Sequence, residues 1–188
     1  MNKLIKIFPI TNDFNKLQYD NEGLYSITHS NDADRISELI LSNFNINNLN
    51  IVDCTAGIGG NTFSFSKYFK NVTSIEINKN RFEILKNNIL IYKLKNIKLL
   101  NNNCIDYIKN NKNYNVYFFD PPWGGINYKK NNTLILTLND YTLVDILKLL
   151  KTNNNSIIFK LPYNYNLDEF SKYNYKLYKI QNYFIIIF

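Results

Sequence analysis

Short apolar runs that stop at an acid or at prolines, alternating with segments of helical spacing, constrain this chain more than any other feature. Ile51-Val-Asp53, Val72-Thr-Ser-Ile-Glu-Ile77, Ile97-Lys-Leu-Leu100, Val116-Tyr-Phe-Phe119 and Ser156-Ile-Ile-Phe-Lys-Leu161 read as strands. The run Val116–Phe119 must end before Pro121-Pro122, because proline has no N–H for a strand ladder. Phe63 to Phe69 has helical spacing. Arg81 to Tyr92 sets Phe82, Leu85, Ile89 and Tyr92 on one face, and Leu143 to Leu150 does the same with Leu143, Ile146, Leu147 and Leu150. Tyr175–Ile180 and Tyr183–Phe188 read as two final strands joined at Gln181-Asn182. The alternation predicts an α/β fold: a mostly parallel sheet with helices on both faces and an antiparallel edge strand where the last pair lacks a helix. Ligands of such sheets bind at the carboxyl ends of the strands, and the chain's unusual residues fall there.

A length of 188 residues predicts a single domain, 1–188, with residues 1–45 a short segment packed on a 46–188 core. Asn-rich stretches (Asn45–Asn50, Asn101–Asn103, Asn110–Asn115, Asn131–Asn132, Asn153–Asn155) read as solvated connections. The longest apolar run, Tyr183–Phe188, is far too short to span a bilayer, and the N-terminus has no secretory pattern. Two cysteines, Cys54 and Cys104, and one histidine, His29, exclude a zinc cluster, a disulfide framework and a hydrolytic triad. Both cysteines are expected to be small buried residues. The net charge of +7 is almost all lysine and suits a polyanion such as nucleic acid. The 35 Asn, with many Lys and Ile, also fit an A+T-rich genome, which contributes to the lysine excess.

Three motifs carry chemistry. Val52-Asp-Cys-Thr-Ala-Gly-Ile-Gly-Gly-Asn-Thr62 is a strand, an acid and a glycine-rich turn leading into a helix. Gly57-Ile58-Gly59 runs directly into Gly60, which departs from the dinucleotide pattern, and no Gly-Lys-Ser/Thr follows as in a phosphate loop. An acid on the strand side suits a cationic ligand, and S-adenosylmethionine, with its ammonium and sulfonium, fits. Glu76 ends the next strand, 19 residues after Gly57, where a carboxylate accepts from ribose hydroxyls. In Phe119-Asp-Pro-Pro-Trp-Gly-Gly125 two prolines stiffen a turn between an acid and an aromatic. This builds a slot for a flat base: Trp123, the only tryptophan, stacks, and Asp120 accepts from an amine.

Asp120-Pro-Pro-Trp123 after a glycine-rich loop resembles the amino methyltransferases, which act on exocyclic nitrogens of bases. The longer Asp120–Gly125 form, followed by Asn127-Tyr128, resembles the trimethylguanosine synthase family, which methylates N2 of the 7-methylguanosine cap of RNA. Asp20-Asn-Glu-Gly-Leu-Tyr-Ser-Ile-Thr28 is similar to that family's element upstream of the core, with Leu24 where an aromatic is common. The resemblance covers roughly residues 18 to 165. It implies a Rossmann-like class I S-adenosylmethionine-dependent methyltransferase in minimal catalytic form, releasing S-adenosyl-L-homocysteine and using no metal. It implies catalytic roles for Asp120, Pro121 and Trp123. It implies cofactor binding by Thr28, Asp53, Thr55, Gly57, Gly59, Asn61, Thr62, Glu76, Asn103, Cys104 and Asp120. Substrate binding then falls to Tyr25, Ser26, Asn61, Pro122, Trp123, Gly124, Tyr128 and Lys160.

The chain departs from the family at two further points. Asn103 stands where an acid usually meets the adenine amine, with Asp106 as the alternative. Tyr163 follows Leu161-Pro162 where the family often has a basic residue facing the cap phosphates, so that duty passes to Lys160, Lys129 or Lys130. The resemblance leads to the expectation of a minimal catalytic unit without the long N-terminal extension of cellular members. The resemblance implies capped RNA as partner, a monomer, no membrane, and a place in the cytoplasm or nucleus (the host cytoplasm for a viral protein). Three rival readings stand beside it. An N6-adenine methyltransferase shares Asp-Pro-Pro-Trp, but in several of these the motif precedes the cofactor loop, whereas here it follows by about 60 residues. The others are a guanine-N2 methyltransferase for ribosomal or transfer RNA, and an inactive cap-binding module, against which intact Asp53, Glu76 and Asp120 argue.

Overall fold

The computed structural model describes residues 4–44, 48–130, 133–151 and 155–188. Its strands are β1 (Asn50–Asp53), β2 (Asn71–Glu76), β3 (Ile97–Asn101), β4 (Val116–Phe119), β5 (Thr137–Leu138), β6 (Tyr141–Thr142), β7 (Ser156–Pro162), β8 (Lys176–Ile180) and β9 (Tyr183–Ile187). Seven of them form one mostly parallel sheet in the order β3-β2-β1-β4-β7-β9-β8, while β5 and β6 make a separate two-stranded sheet. The chain divides into two compact units, Met1–Cys104 and Ile105–Phe188.

In the first unit β1 and β3 both run parallel to β2, with Asp53 opposite Ser74 and Glu76 opposite Asn101. The last three residues of β1 and the last five of β2 are buried without a break, as parallel strands covered on both faces require. The helices of this unit are α1 (Leu4–Ile7), α2 (Asn21–Ser26), α3 (Ser30–Ser42), α4 (Gly60–Tyr68) and α5 (Lys79–Ile91). Ile7, Phe8 and Leu17 from the N-terminal segment share a core with Ala56, Ile58, Phe63, Leu85 and Ile89. That segment therefore packs against the glycine-rich turn and the two helices flanking it. The boundary expected at residues 45–46 lies outside the described residues, as do Asn131 and Asn132 and the first two residues of the Asn153–Asn155 connection. Helix α3 is not expected from the sequence. Its buried residues Ala33, Ile36, Ser37 and Ile40 do recur at three and four, but a serine and an alanine make that stripe faint.

In the second unit α6 (Cys104–Asn110) leads from the unit boundary toward β4. Strands β4 and β7 are parallel, with Phe119 opposite Phe159. Strand β9 pairs antiparallel with β7 and β8 pairs antiparallel with β9, the edge arrangement the last two runs predict. Exposed Lys176 and Lys179 on β8 discourage further strand addition at that edge. Helix α7 (Leu143–Leu150) opens with a capping box: Thr142 Oγ1 accepts from the Asp145 amide at 3.1 Å, and the Asp145 carboxylate accepts from the Thr142 amide at 3.2 Å. Thr142 Oγ1 also donates to the Asp145 carboxylate at 2.6 Å, and this bond first, then the one from the Thr142 amide, holds Asp145 below the usual carboxylate range. Leu143, Ile146, Leu147 and Leu150 are fully buried, which bears out the stripe read from the sequence.

Leu147→Ala should leave a cavity beneath α7 and lower stability by about 2–5 kcal/mol. Lys148→Ala, one residue on and facing solvent, should leave the unfolding midpoint where it is. Urea denaturation of the two variants beside the parent checks this; equal midpoints for both variants would contradict the assigned face.

Candidate active site

In the first unit, the turn after β1 is built around buried polar groups. Asp53 is fully buried, and its carboxylate accepts from Thr62 Oγ1 at 2.7 Å; the same hydroxyl lies 2.9 Å from Ser74 Oγ. Gly59 caps α4 with φ of 112°, and a Cβ there would meet Phe63 at 2.4 Å, so no other residue fits the turn. Glu76 is buried at the end of β2; its Oε2 accepts from the Gly57 amide at 2.8 Å and its Oε1 from the Asn78 amide at 2.7 Å. The two β-strand ends are thus tied together through one carboxylate, which retains further acceptor capacity for a diol.

The upstream element closes over this turn. Asp20 caps α2 by accepting from the Gly23 amide at 2.6 Å, and Arg81 of α5 holds both Asp20 and Glu22. Asn61 Nδ2 donates to Thr28 Oγ1 at 3.1 Å, and a Cβ on Gly60 would stand 2.7 Å from the Thr28 carbonyl oxygen. The Asn61 Oδ1 atom is buried with no hydrogen-bond partner among the described residues. In the same turn, Gly57 has nothing within 4 Å of where a Cβ would stand. A buried orphan acceptor, open space over a glycine and a carboxylate at a strand end fit a ligand that carries a cationic amine and a ribose. Among the described residues no group of three or more His, Cys, Asp or Glu is placed to hold a metal.

The second unit gathers the residues expected on the acceptor side. Asp120 follows β4 and Lys160 lies on β7, and the Phe119–Phe159 pairing brings the next residues side by side. Lys160 Nζ sits 2.5 Å from Asp120 Oδ2, and the two side chains are only 6% and 14% exposed. The same ammonium lies 4.8 Å from the ring of Trp123 and 5.0 Å from that of Tyr183. Trp123 is half-buried and meets buried Tyr128 edge-on at 5.2 Å. Its indole N–H is buried with no acceptor among the described residues, a donor left for a ligand. Pro121 is buried and Pro122 exposed, and Gly124, with φ of 92°, turns the chain after the indole.

The expected residues thus come together in two sets: Thr28, Asp53, Thr55, Gly57, Gly59, Asn61, Thr62 and Glu76 in the first unit, and Asp120, Pro121, Pro122, Trp123, Gly124, Tyr128 and Lys160 in the second. Buried Cys54 neighbours Cys104, and burial first, then Cys104, raises the Cys54 thiol well above its ordinary range, so it is no nucleophile. Asn103 lies two residues beyond β3, directly before α6. Asp106 lies on α6, with Lys109 one turn on at 3.6 Å. Tyr25 is exposed, and Ser26 donates back to the Glu22 carbonyl of its own helix. Lys160, expected among the cap phosphates, lies buried against Asp120 instead, while Lys129 and Lys130 are exposed. Sequence reasoning missed Ile77, an apolar side chain 59% exposed just beyond Glu76. It also missed Asn101, whose Nδ2 donates to the carbonyls of Glu76 and Ile77 at 2.8 and 3.1 Å. An isoleucine after a strand-ending acid was the available signal for the first; nothing in the sequence marked the second.

The fold is that of a Rossmann-like class I S-adenosylmethionine-dependent methyltransferase. The chain is similar to the solved T. thermophilus 16S rRNA N2 G1207 methyltransferase in complex with AdoMet and guanosine, with a TM-score of 0.64 and 12% identity over 93% of this chain and 44% of that one. It is 35% identical over 188 residues to uncharacterized protein L320 of Acanthamoeba polyphaga mimivirus, covering 86% of this chain and 73% of L320. It is 31% identical over 134 residues to ribosomal RNA small subunit methyltransferase D of Buchnera aphidicola subsp. Baizongia pistaciae, covering 64% of this chain and 67% of that protein. The RNA cap guanine-N2 methyltransferase family model matches residues 48–187, and the chain belongs to that family.

Glu76→Ala removes the acceptor of two loop amides and a charged acceptor for ligand hydroxyls. Calorimetry should show S-adenosylmethionine affinity reduced about tenfold or more, with the fold retained. Unchanged affinity would place the ribose elsewhere.

Proposed function

We infer that this protein transfers a methyl group from S-adenosylmethionine to the exocyclic N2 of the 7-methylguanosine cap of RNA, giving a dimethyl- or trimethylguanosine cap. The observation that carries the reading is the cluster at the end of β4, where a hydrogen-bonding carboxylate, Asp120, and an aromatic ring, Trp123, are gathered around one ammonium. The family match over residues 48–187 and the basic net charge support it.

S-adenosylmethionine supplies an electrophilic methyl on sulfur. On the cofactor side Glu76 accepts from the ribose hydroxyls, Asn61 Oδ1 from the amino-acid ammonium, and Ile77 covers the adenine. Asn103, in the turn between β3 and α6, accepts from the adenine amine. Asp53 stiffens the turn through Thr62. On the acceptor side the N2 lone pair of guanine is drawn into the ring and is a poor nucleophile. N7 methylation adds positive charge and makes the N1–H and N2–H protons more acidic. Asp120 accepts from these groups and orients the amine; as the N2–methyl bond forms and the sulfur–methyl bond breaks, the proton that N2 releases passes to Asp120 or to water. Trp123 stacks on the cationic ring, with a cation–π contribution of about 0.5–2 kcal/mol. Pro121 and Pro122 hold the turn, and alignment of the amine supplies much of the remaining rate. Exposed Lys129 and Lys130 are suited to phosphates of the capped RNA.

Methylation of ribosomal RNA is the second reading, favoured by the likeness to the Buchnera ribosomal RNA methyltransferase. One assay separates the two. With labelled S-adenosylmethionine, 7-methyl-GTP should be methylated and unmethylated GTP should be a far poorer acceptor. Equal turnover of the two nucleotides would overturn the cap reading, and turnover of ribosomal RNA with neither nucleotide accepted would establish the second.

A further inference from the structure

We propose that Lys160 is the positioning residue of the acceptor slot, one buried ammonium fixing both the carboxylate that receives the base's amine and the ring on which the base lies; this rests on the roles given above to Asp120 and Trp123. Strand β7 is buried without a break from Ile157 to Pro162, and every other residue in that stretch is apolar. An ammonium there loses its hydration, and an aliphatic side chain would fill the same space at lower cost. A lysine in such a place therefore calls for a reason other than stability.

The contacts supply it. The ammonium meets Asp120 Oδ2 at 2.5 Å and lies over Trp123 at 4.8 Å and Tyr183 at 5.0 Å. Tyr128 closes on the indole from the side. Asp120 and Trp123 are three residues apart across two prolines, which offer no side-chain donor to the carboxylate. Lys160 is the group that touches both, so the spacing between acceptor and stacking face is set by it. A flexible point charge with three donors can hold an oxygen at one side and π faces at others, which an apolar residue cannot.

The single tryptophan makes the proposal readable without turnover. The full chain is compared with Lys160→Arg, Lys160→Met and the double variant Asp120→Asn/Lys160→Met. The readouts are indole emission and acrylamide quenching without ligand, then titration with 7-methyl-GTP, with S-adenosylhomocysteine titration as a control. Lys160→Met is expected to red-shift the emission, to expose the indole to acrylamide, and to weaken 7-methyl-GTP binding about tenfold, with S-adenosylhomocysteine affinity unchanged. Lys160→Arg, which keeps the cation, should recover most of that affinity. A folded Lys160→Met protein with the parent's emission, quenching and 7-methyl-GTP affinity would overturn the proposal. If Lys160→Met fails to fold once the carboxylate has lost its ammonium, the double variant, which removes both charges, is judged by the same emission and quenching criteria. If the parent itself gives no response to 7-methyl-GTP, the cap reading fails, and the ligand-free comparison still decides the role of Lys160.

Discussion

Burial of parallel strands on both faces is the constraint from which the rest of this structure follows. Strands β2, β4 and β7 are almost continuously covered, so their interiors admit apolar side chains, small hydroxyls such as Thr73 and Ser74 on β2, and few others. Polar chemistry is pushed to the carboxyl ends, where Asp53, Glu76 and Asp120 stand. Each of these carboxylates is enclosed, and each is tied down: Asp53 to Thr62, Glu76 to two backbone amides, Asp120 to a lysine. A buried charge without such partners would be prohibitively costly. The pairing that makes the fold tolerable also fixes the functional groups in place, which is the preorganisation that catalysis requires.

The two units divide the chemical work. The first carries the glycine-rich turn, the acid at the end of β2 and the upstream Asp20–Thr28 element. That element belongs to the turn in a physical sense: Arg81 holds its acids, Asn61 holds Thr28, and the close approach at Gly60 leaves no room for a side chain. The second unit carries the stiff Pro-Pro turn with its aromatic ring and ion pair. On the proposed reading, methyl transfer from a sulfonium to an exocyclic amine would draw its cofactor grip from the first unit and its flat, polar-edged acceptor slot from the second.

Much of this is legible in the amino-acid sequence. Stripes at steps of three and four mark α5 and α7, and the apolar runs mark every strand of the main sheet, because those segments pack by the periodicities that sequence displays directly. Asp53, Glu76 and Asp120 stand out because an acid at the end of an apolar run contributes nothing to packing and must answer to a polar partner or a ligand. The rest depends on contacts across the chain. The partner of Asp120 emerges only when β4 and β7 are set in register, although a lysine inside Ser156–Leu161 is a visible anomaly in an apolar strand. Helix α3 hides behind small and polar residues on its buried stripe. The two-residue strands β5 and β6 are too short to show a period. The division between units at residue 104 falls within α6, where composition does not change.

The central claim is the identity of the methylated atom, and the most direct measurement is analysis of the product nucleoside. The full chain is incubated with S-adenosylmethionine carrying a carbon-13 methyl and with RNA bearing a 7-methylguanosine cap. The RNA is then digested and the nucleosides are resolved by mass spectrometry and NMR. The account predicts a labelled methyl on N2 of the cap guanine, with the exocyclic amine as its only site. Label on the N6 of adenine, on a ribose hydroxyl, or on an internal guanine with the cap untouched would contradict it.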